Sequence, residues 1–160
     1  MAVDMFLKLD GIKGESQDHK HKDEIHIESF SWGMTQTGAH STGGGGGAGK
    51  VAIHDISVTK YLDKSSPELM LHCANGKHIK EAWVYVRKAG ETPVEYLKIK
   101  LNDILVSSVQ HSGHGGDLLM ENLSLNFAKF HVEYQEQGAD GKAKGGPVVM
   151  GWDVKANVKA

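Results

Sequence analysis

Apolar and polar positions alternate with a period of two along most of the chain, in short runs closed by glycine-bearing turns, the pattern of antiparallel sandwiches and barrels. Met5, Leu7 and Leu9 alternate and stop at Asp10-Gly11. Ile25 and Ile27 share one parity while Phe30, Trp32 and Met34 share the other, which predicts a long strand bulged near Ser29. The same phase change separates Val51 and Ile53 from Ile56 and Val58. Ala82, Val84 and Val86 oppose Trp83, Tyr85 and Arg87 up to the turn Lys88-Ala89-Gly90, and Leu97, Ile99 and Leu101 continue the pattern. A more uniformly apolar run from Ile104 to Val109 follows; Leu123, Leu125 and Phe127 then switch phase to Phe130, Val132 and Tyr134. Trp152, Val154, Ala156 and Val158 close the chain, so eight or nine strands are expected.

One segment departs from this period. Ser65 is placed to cap, Pro67 and Glu68 suit a first helical turn, and Asn75-Gly76 is a left-handed stop. These predict a short helix over about 66–75 lying on the sheet, with Leu69, Met70, Leu71 and Cys73 as its apolar side. The expectation is therefore all-β in the main: one domain over residues 1–160, a compact antiparallel β-barrel or sandwich with one short α-helix. Residues 38–49 include seven glycines, cannot pack a core, and predict a mobile extension, an extended glycine-rich loop at 37–50. Residues 138–147 form a second, polar loop.

Composition narrows the function more than the fold. Hydrophobic residues at 39% and charged residues at 24% place the chain among sequences that fold. A net charge of −2 lacks the basic footprint that a phosphate backbone demands, so no nucleic-acid partner is expected. No apolar stretch nears the roughly 20 residues of a membrane-spanning helix, so the chain is not expected to be membrane-embedded. The first ten residues carry Asp4 and Asp10 and no basic segment, unlike a signal peptide, so synthesis in the cytoplasm is expected and any export takes another route. With Cys73 alone, no disulfide can form within the chain.

Several motifs invite a chemical reading. Gly44 through Lys50 fits the front of a phosphate-binding P-loop, but that chemistry needs a Ser or Thr hydroxyl next and a helix whose amides face the phosphate. Val51 follows, and it opens an alternating strand. Of ten histidines, His19 with His21 and His111 with His114 each offer two imidazoles, short of the three or four ligands zinc requires, and read as surface histidines in polar turns. His72 and Cys73, adjacent on a helix, diverge by about 100 degrees and cannot exchange a proton, so Cys73 reads as a small apolar group. Asp23-Glu24 reads as a solvated strand end. Trp32, Trp83 and Trp152 lie in alternating strands, where an aromatic fills a core or an interface. No catalytic, cofactor-binding or metal-binding set is expected. A nucleotide-binding enzyme and a monomeric barrel that binds a ligand or metal stand as the alternatives.

Strings spread over the chain resemble one family. Ser31-Trp32-Gly33-Met34, the loop from Gly43 to Val51, Thr59-Lys60-Tyr61-Leu62-Asp63-Lys64-Ser65-Ser66-Pro67, Gly76-Lys77-His78, Arg87-Lys88-Ala89-Gly90, Val94-Glu95-Tyr96-Leu97, Leu105-Val106-Ser107-Ser108-Val109 and Glu121-Asn122-Leu123-Ser124-Leu125-Asn126-Phe127-Ala128 together resemble the haemolysin-coregulated proteins, the Hcp family of bacterial type VI secretion. The resemblance runs from Met1 to about Val158. It implies a barrel with one helix that forms hexameric rings around a wide channel. Rings stack into a tube inside a contractile sheath on a baseplate, as in a phage tail, and contraction expels tube and spike. Family members also carry effectors in the ring lumen. The family's loop against the next ring corresponds to residues 37–50, which assigns stacking to Gly43, Gly44, Gly45, Gly46, Gly47 and Lys50. The small polar loop at 110–117 fits a hydrated channel wall, which assigns cargo contact to His114 first, with Ser112 and Gln110. Longer members carry a C-terminal toxin, for which a chain ending just past Val158 leaves no room.

Overall fold

The computed structural model describes residues 2–39, 47–90 and 93–160. Eleven strands and one helix occur among them: β1 Val3–Leu9, β2 Ile25–Ile27, β3 Ser29–Ser31, β4 Met34–Ala39, β5 Gly47–Ile53, β6 Ile56–Tyr61, α1 Ser66–Asn75, β7 Ile79–Lys88, β8 Glu95–Ser112, β9 Met120–Tyr134, β10 Val148–Asp153 and β11 Val158–Lys159. Every ladder is antiparallel.

The main sheet runs β11-β10-β9-β8-β7-β1-β2, and β9 also pairs β6, which pairs β3. Among the described residues the ladders do not close into the hydrogen-bonded barrel expected. β2, at one end of the sheet, and β3, at the end of the β6 branch, are joined instead by the chain itself, since Glu28 alone separates them. Glu28 N donates to Thr59 O at 2.8 Å, so the single bulged strand expected across Ser29 is instead β2, β3 and β4, broken first where the chain leaves β1 and joins β6.

β8 and β9 show why the apolar phase changes. Ile99 and Leu101 are buried on odd positions of β8, Ile104 and Val106 on even ones; on β9 Leu125 and Phe127 give way to Phe130. The ladder stays in register across the switch, from Asn102↔Lys129 to Ile104↔Phe127. Both strands thus turn a corner side by side, with Asp103 at φ 54°. One apolar cluster results, drawn from β1, β2, β6, α1, β7, β8 and β9 and including Leu7, Ile25, Ile56, Leu69, Val84, Leu101, Leu125 and Phe130. Trp32 closes one side, 4.8 Å from Phe130 and nearly perpendicular to it.

The helix has the expected bounds and ends on Gly76 at φ 69°, where a side chain would be strained. Two details differ. Ser65 makes no side-chain cap; its backbone N and hydroxyl both donate to Asp63, which fixes the approach to the helix. Met70 and Leu71 are about half exposed, and the buried face is Ser66, Leu69 and His72, with Cys73 partly covered. His72 suits that face because its Nδ1 bonds Glu68 O at 2.8 Å.

Other expectations also change. Val51 and Ile53 are not continuous with Ile56 and Val58: β4 and β5 form a separate two-stranded ribbon, so much of the expected 37–50 loop is strand. Val154 and Ala156 lie in a turn between β10 and β11. His21 is buried at 3% exposure, and the side chain of Glu24 beside it is largely covered, so neither is the solvated surface group expected.

Candidate functional site

The polar half of the strand alternation gathers on one face of the sheet. Ser29, Thr59, Asn122 and Gln110 stand in register across β3, β6, β9 and β8, and Ser31, Ser57, Ser124 and Ser108 form the next row. Their apolar neighbours Val58, Leu123 and Leu125 point the other way into the core. The polar groups bond one another: Thr59 Oγ1 donates to Asn122 Oδ1 at 2.7 Å, Ser124 Oγ meets Ser108 Oγ at 2.7 Å and Ser107 Oγ at 2.6 Å, and Asp55 accepts from Ser107 and Asn126. The result is a hydrophilic wall of small side chains bonded to one another.

At one end this wall runs into an open groove of about 500 Å³ lined by Tyr61, Ser112, Gly113, His114, Asp117, Leu118 and Met120. Of the three cargo residues expected from sequence, Gln110 and Ser112 share the sheet face because they are two apart on β8, and Ser112 and His114 share the groove. His114 is exposed and lies 3.4 Å from Asp117. The serines and asparagines of β3, β6 and β9 were not singled out from the sequence; their signal was the polar parity of strands whose apolar parity alone was followed.

Behind the wall, on the core side, lies a buried ion cluster. Lys60 is fully buried, with Nζ 2.7 Å from Glu121 Oε1, 3.0 Å from Asp63 Oδ1, 3.1 Å from Tyr61 O and 3.3 Å from Ser66 Oγ. Three ammonium hydrogens cannot serve four acceptors equally. Glu121 Oε1 makes a close ionic contact without a well-directed hydrogen bond, while Glu121 Oε2 lies 2.5 Å from His111 Nε2. The cluster joins β6, β8 and β9 to the start of α1.

The expected stacking set divides. Gly43, Gly44, Gly45 and Gly46 lie outside the described residues; Gly47 and Lys50 are in β5, where Lys50 is exposed. Gly49 is needed for another reason, since a Cβ there would overlap Thr37 on β4. Lys50 and the residues after it continue as strand, so the helix of a phosphate loop is not there.

Among the described residues, the outer side of β10 is open along its first half. β11 pairs with Trp152 and Asp153 and Ala160 N donates to Gly151 O at 3.1 Å, leaving Val148, Val149 and Met150 at 71%, 55% and 43% exposure. Met150 and Trp152 face Met34, Val51 and Ile53 of the ribbon across an apolar cleft of about 330 Å³. A strand edge with free backbone groups and apolar side chains invites another strand.

A curled antiparallel sheet with a smooth polar face and an uncovered apolar edge defines a structural subunit built to associate. The comparisons agree. Residues 6–134 match the family described as "Type VI secretion system effector, Hcp". The chain is 55% identical to protein hcp1 of Pseudomonas aeruginosa, covering 100% of both. Among solved structures, it superimposes on Hcp1 from Salmonella typhimurium with a TM-score of 0.81 and 36% identity over 100% of both chains. A structure described as a type six secretion system protein gives 0.94 and 30% identity over 99% of this chain and 100% of that one. The chain belongs to the Hcp family, the secreted, non-enzymatic tube subunits and effector carriers of the type VI secretion system.

Proposed function

We propose that six copies of this chain close into a ring by edge contacts, that rings stack into the expelled tube, and that the polar face lines the channel and carries effectors. The observation that carries this reading is the uncovered β10 edge with Val148, Val149 and Met150 exposed along it. A contact between two different patches on each copy closes into a ring when the rotation allows, and closure satisfies every edge with no open end to aggregate. In this reading the groove at Ser112 and His114, with Gln110 beside it, touches cargo. Gly43, Gly44, Gly45, Gly46, Gly47 and Lys50 meet the next ring. Assembly in the cytoplasm, around the spike and inside sheath and baseplate, precedes expulsion.

Light scattering of the purified chain tests the ring: the expected mass is about six times the 17.4 kDa of one copy. A mass near one copy at micromolar concentration overturns it. For cargo, His114→Trp fills the groove, so co-purification of an effector should fall while ring mass is unchanged; equal retention by the variant removes His114 from the contact.

A further inference from the structure

We infer that His21 is a proton-dependent latch that fastens the tip of the β1–β2 connection onto β7 and β8. Residues 10–24 form a narrow-necked loop. Gly14 N donates to Asp23 O at 2.8 Å, Ser16 N to Glu24 O at 3.0 Å, and Asp23 N to Ser16 O at 2.9 Å. The neck admits no side chain at Gly14, where a Cβ would stand 2.5 Å from Glu24 O. Its tip reaches over the sheet, and His21, at 3% exposure, lies flat on the Phe6 ring at 4.3 Å with Tyr85 at 4.8 Å.

Both imidazole nitrogens meet carboxylates. Nδ1 is 2.9 Å from Glu24 Oε2, and Nε2 contacts Glu95 Oε1 across 74 residues of chain. A neutral imidazole has one N–H and one lone pair, and a lone pair facing a carboxylate oxygen repels it. The observed pair of contacts therefore needs one proton more than a neutral ring between two carboxylates, held on the second ring nitrogen or on a carboxyl. When that proton leaves, one contact becomes repulsive and the tip is released.

The surroundings favour retention on the acid side. Burial holds the Glu24 carboxyl above its ordinary value against the pull of His21, and Glu24 Oε1 has no hydrogen-bond partner among the described residues. A carboxyl raised in the folded state contributes stability that is present below its unfolded value and lost as pH rises through its folded value. The other groups facing the site are Lys8 from β1, His26 from β2 (edge-on to Phe6), Glu81, Tyr85 and Arg87 from β7, Lys98 from β8 and Glu133 from β9. Tyr85 is pushed up to about 12 by burial and by Glu24, Glu95 and Glu81, so it stays neutral. Arg87 holds Asp18 at the far side of the tip, and Asp18 is lowered by that bond, so this second fastening is constant over the range in which an imidazole titrates. The pH dependence belongs to the latch.

Amide hydrogen exchange on the full chain, followed in peptides covering residues 12–24 from about pH 5 to about pH 8 and corrected for intrinsic rates, reads it out. Protection should fall with rising pH, by up to about tenfold per unit, while β8 and β9 peptides stay level. Glu95→Gln supplies an amide N–H to an unprotonated Nε2 and should flatten the slope. His21→Phe keeps the stack on Phe6 but has no hydrogens to give, and should show low protection at every pH. Level protection in the unaltered chain, or an undiminished slope in Glu95→Gln or in His21→Phe, overturns the inference.

Discussion

Arg87 and Lys60 show how single charged side chains hold this sheet together. Arg87 donates from Nη1 to Asp18 at 3.1 Å and from Nη2 to the second oxygen, and its guanidinium stands 5.1 Å over Phe6. That hydrogen bonding lowers the Asp18 carboxyl, and a lowered carboxyl contributes stability above its unfolded value that is lost as pH falls through its folded one. Arg87→Met should therefore cost about 1–3 kcal/mol near neutrality, with the gap to the unaltered chain closing below about pH 4, in urea titrations at fixed protein concentration. Lys60 poses the harder case, because both it and Glu121 are fully buried. Lys60→Met strands Glu121 and should cost about 3–5 kcal/mol, whereas Lys60→Met with Glu121→Leu should recover most of the loss in the same titration. A double variant no better than the single one would show that the pair itself is stabilising. None of these partnerships is legible in the sequence. Residues 18 and 87, or 21 and 95, look like ordinary solvated charges until the fold brings them together.

Elements were legible where a local signal sufficed. Gly76 in a left-handed conformation and Pro67 and Glu68 in the first turn mark α1 at the bounds the sequence indicates. Which side of α1 is covered was not legible, since Leu69, Met70 and Leu71 are equally apolar and the sheet meets only one of them. Leu69→Ala should cost about 2–5 kcal/mol, and Leu71→Ala less than about 0.5 kcal/mol, in thermal or chemical unfolding. Equal costs would mean that Leu71 is covered in solution. In the ribbon, β4 approaches β5 so closely at Gly49 that Gly49→Val should loosen the hairpin, seen as faster exchange of β4 and β5 amides with core exchange unchanged. Phase changes read as bulges within one strand, which holds for β9 and fails between β5 and β6, where the chain leaves one sheet for another. A change of apolar parity marks a corner equally in a continuous strand such as β9 and at a true break such as that between β5 and β6.

At the scale of the molecule, the open side of β10 sets what the protein can do next. Val149→Asp places a charge on that edge, where a free chain tolerates it in water and a docked strand does not. The expected outcome is a fall in oligomer mass by light scattering with the far-ultraviolet circular dichroism of the unaltered chain retained. Full-size rings from Val149→Asp would move the contact elsewhere. The polar face tolerates more: substituting Ser124 by Ala removes two hydroxyl bonds and should change stability by about 1 kcal/mol with no effect on ring mass.

By itself, the amino-acid sequence determined the strand-rich class, the place and ends of the helix, the failure of the P-loop reading at Val51, and, through strings spread over the whole chain, the family. These follow from local physics: side chains alternate every two residues in a strand, glycine alone adopts a left-handed stop without strain, and a magnesium-binding hydroxyl is present or absent at one position. Only the tertiary structure decided that β4 and β5 leave the main sheet, that serines and asparagines from four strands form one wall, that His21 is buried against Glu24, and that the first half of β10 keeps an open edge. Each of these depends on which distant segments become neighbours, and burial, pairing and exposure are properties of that neighbourhood rather than of any residue alone.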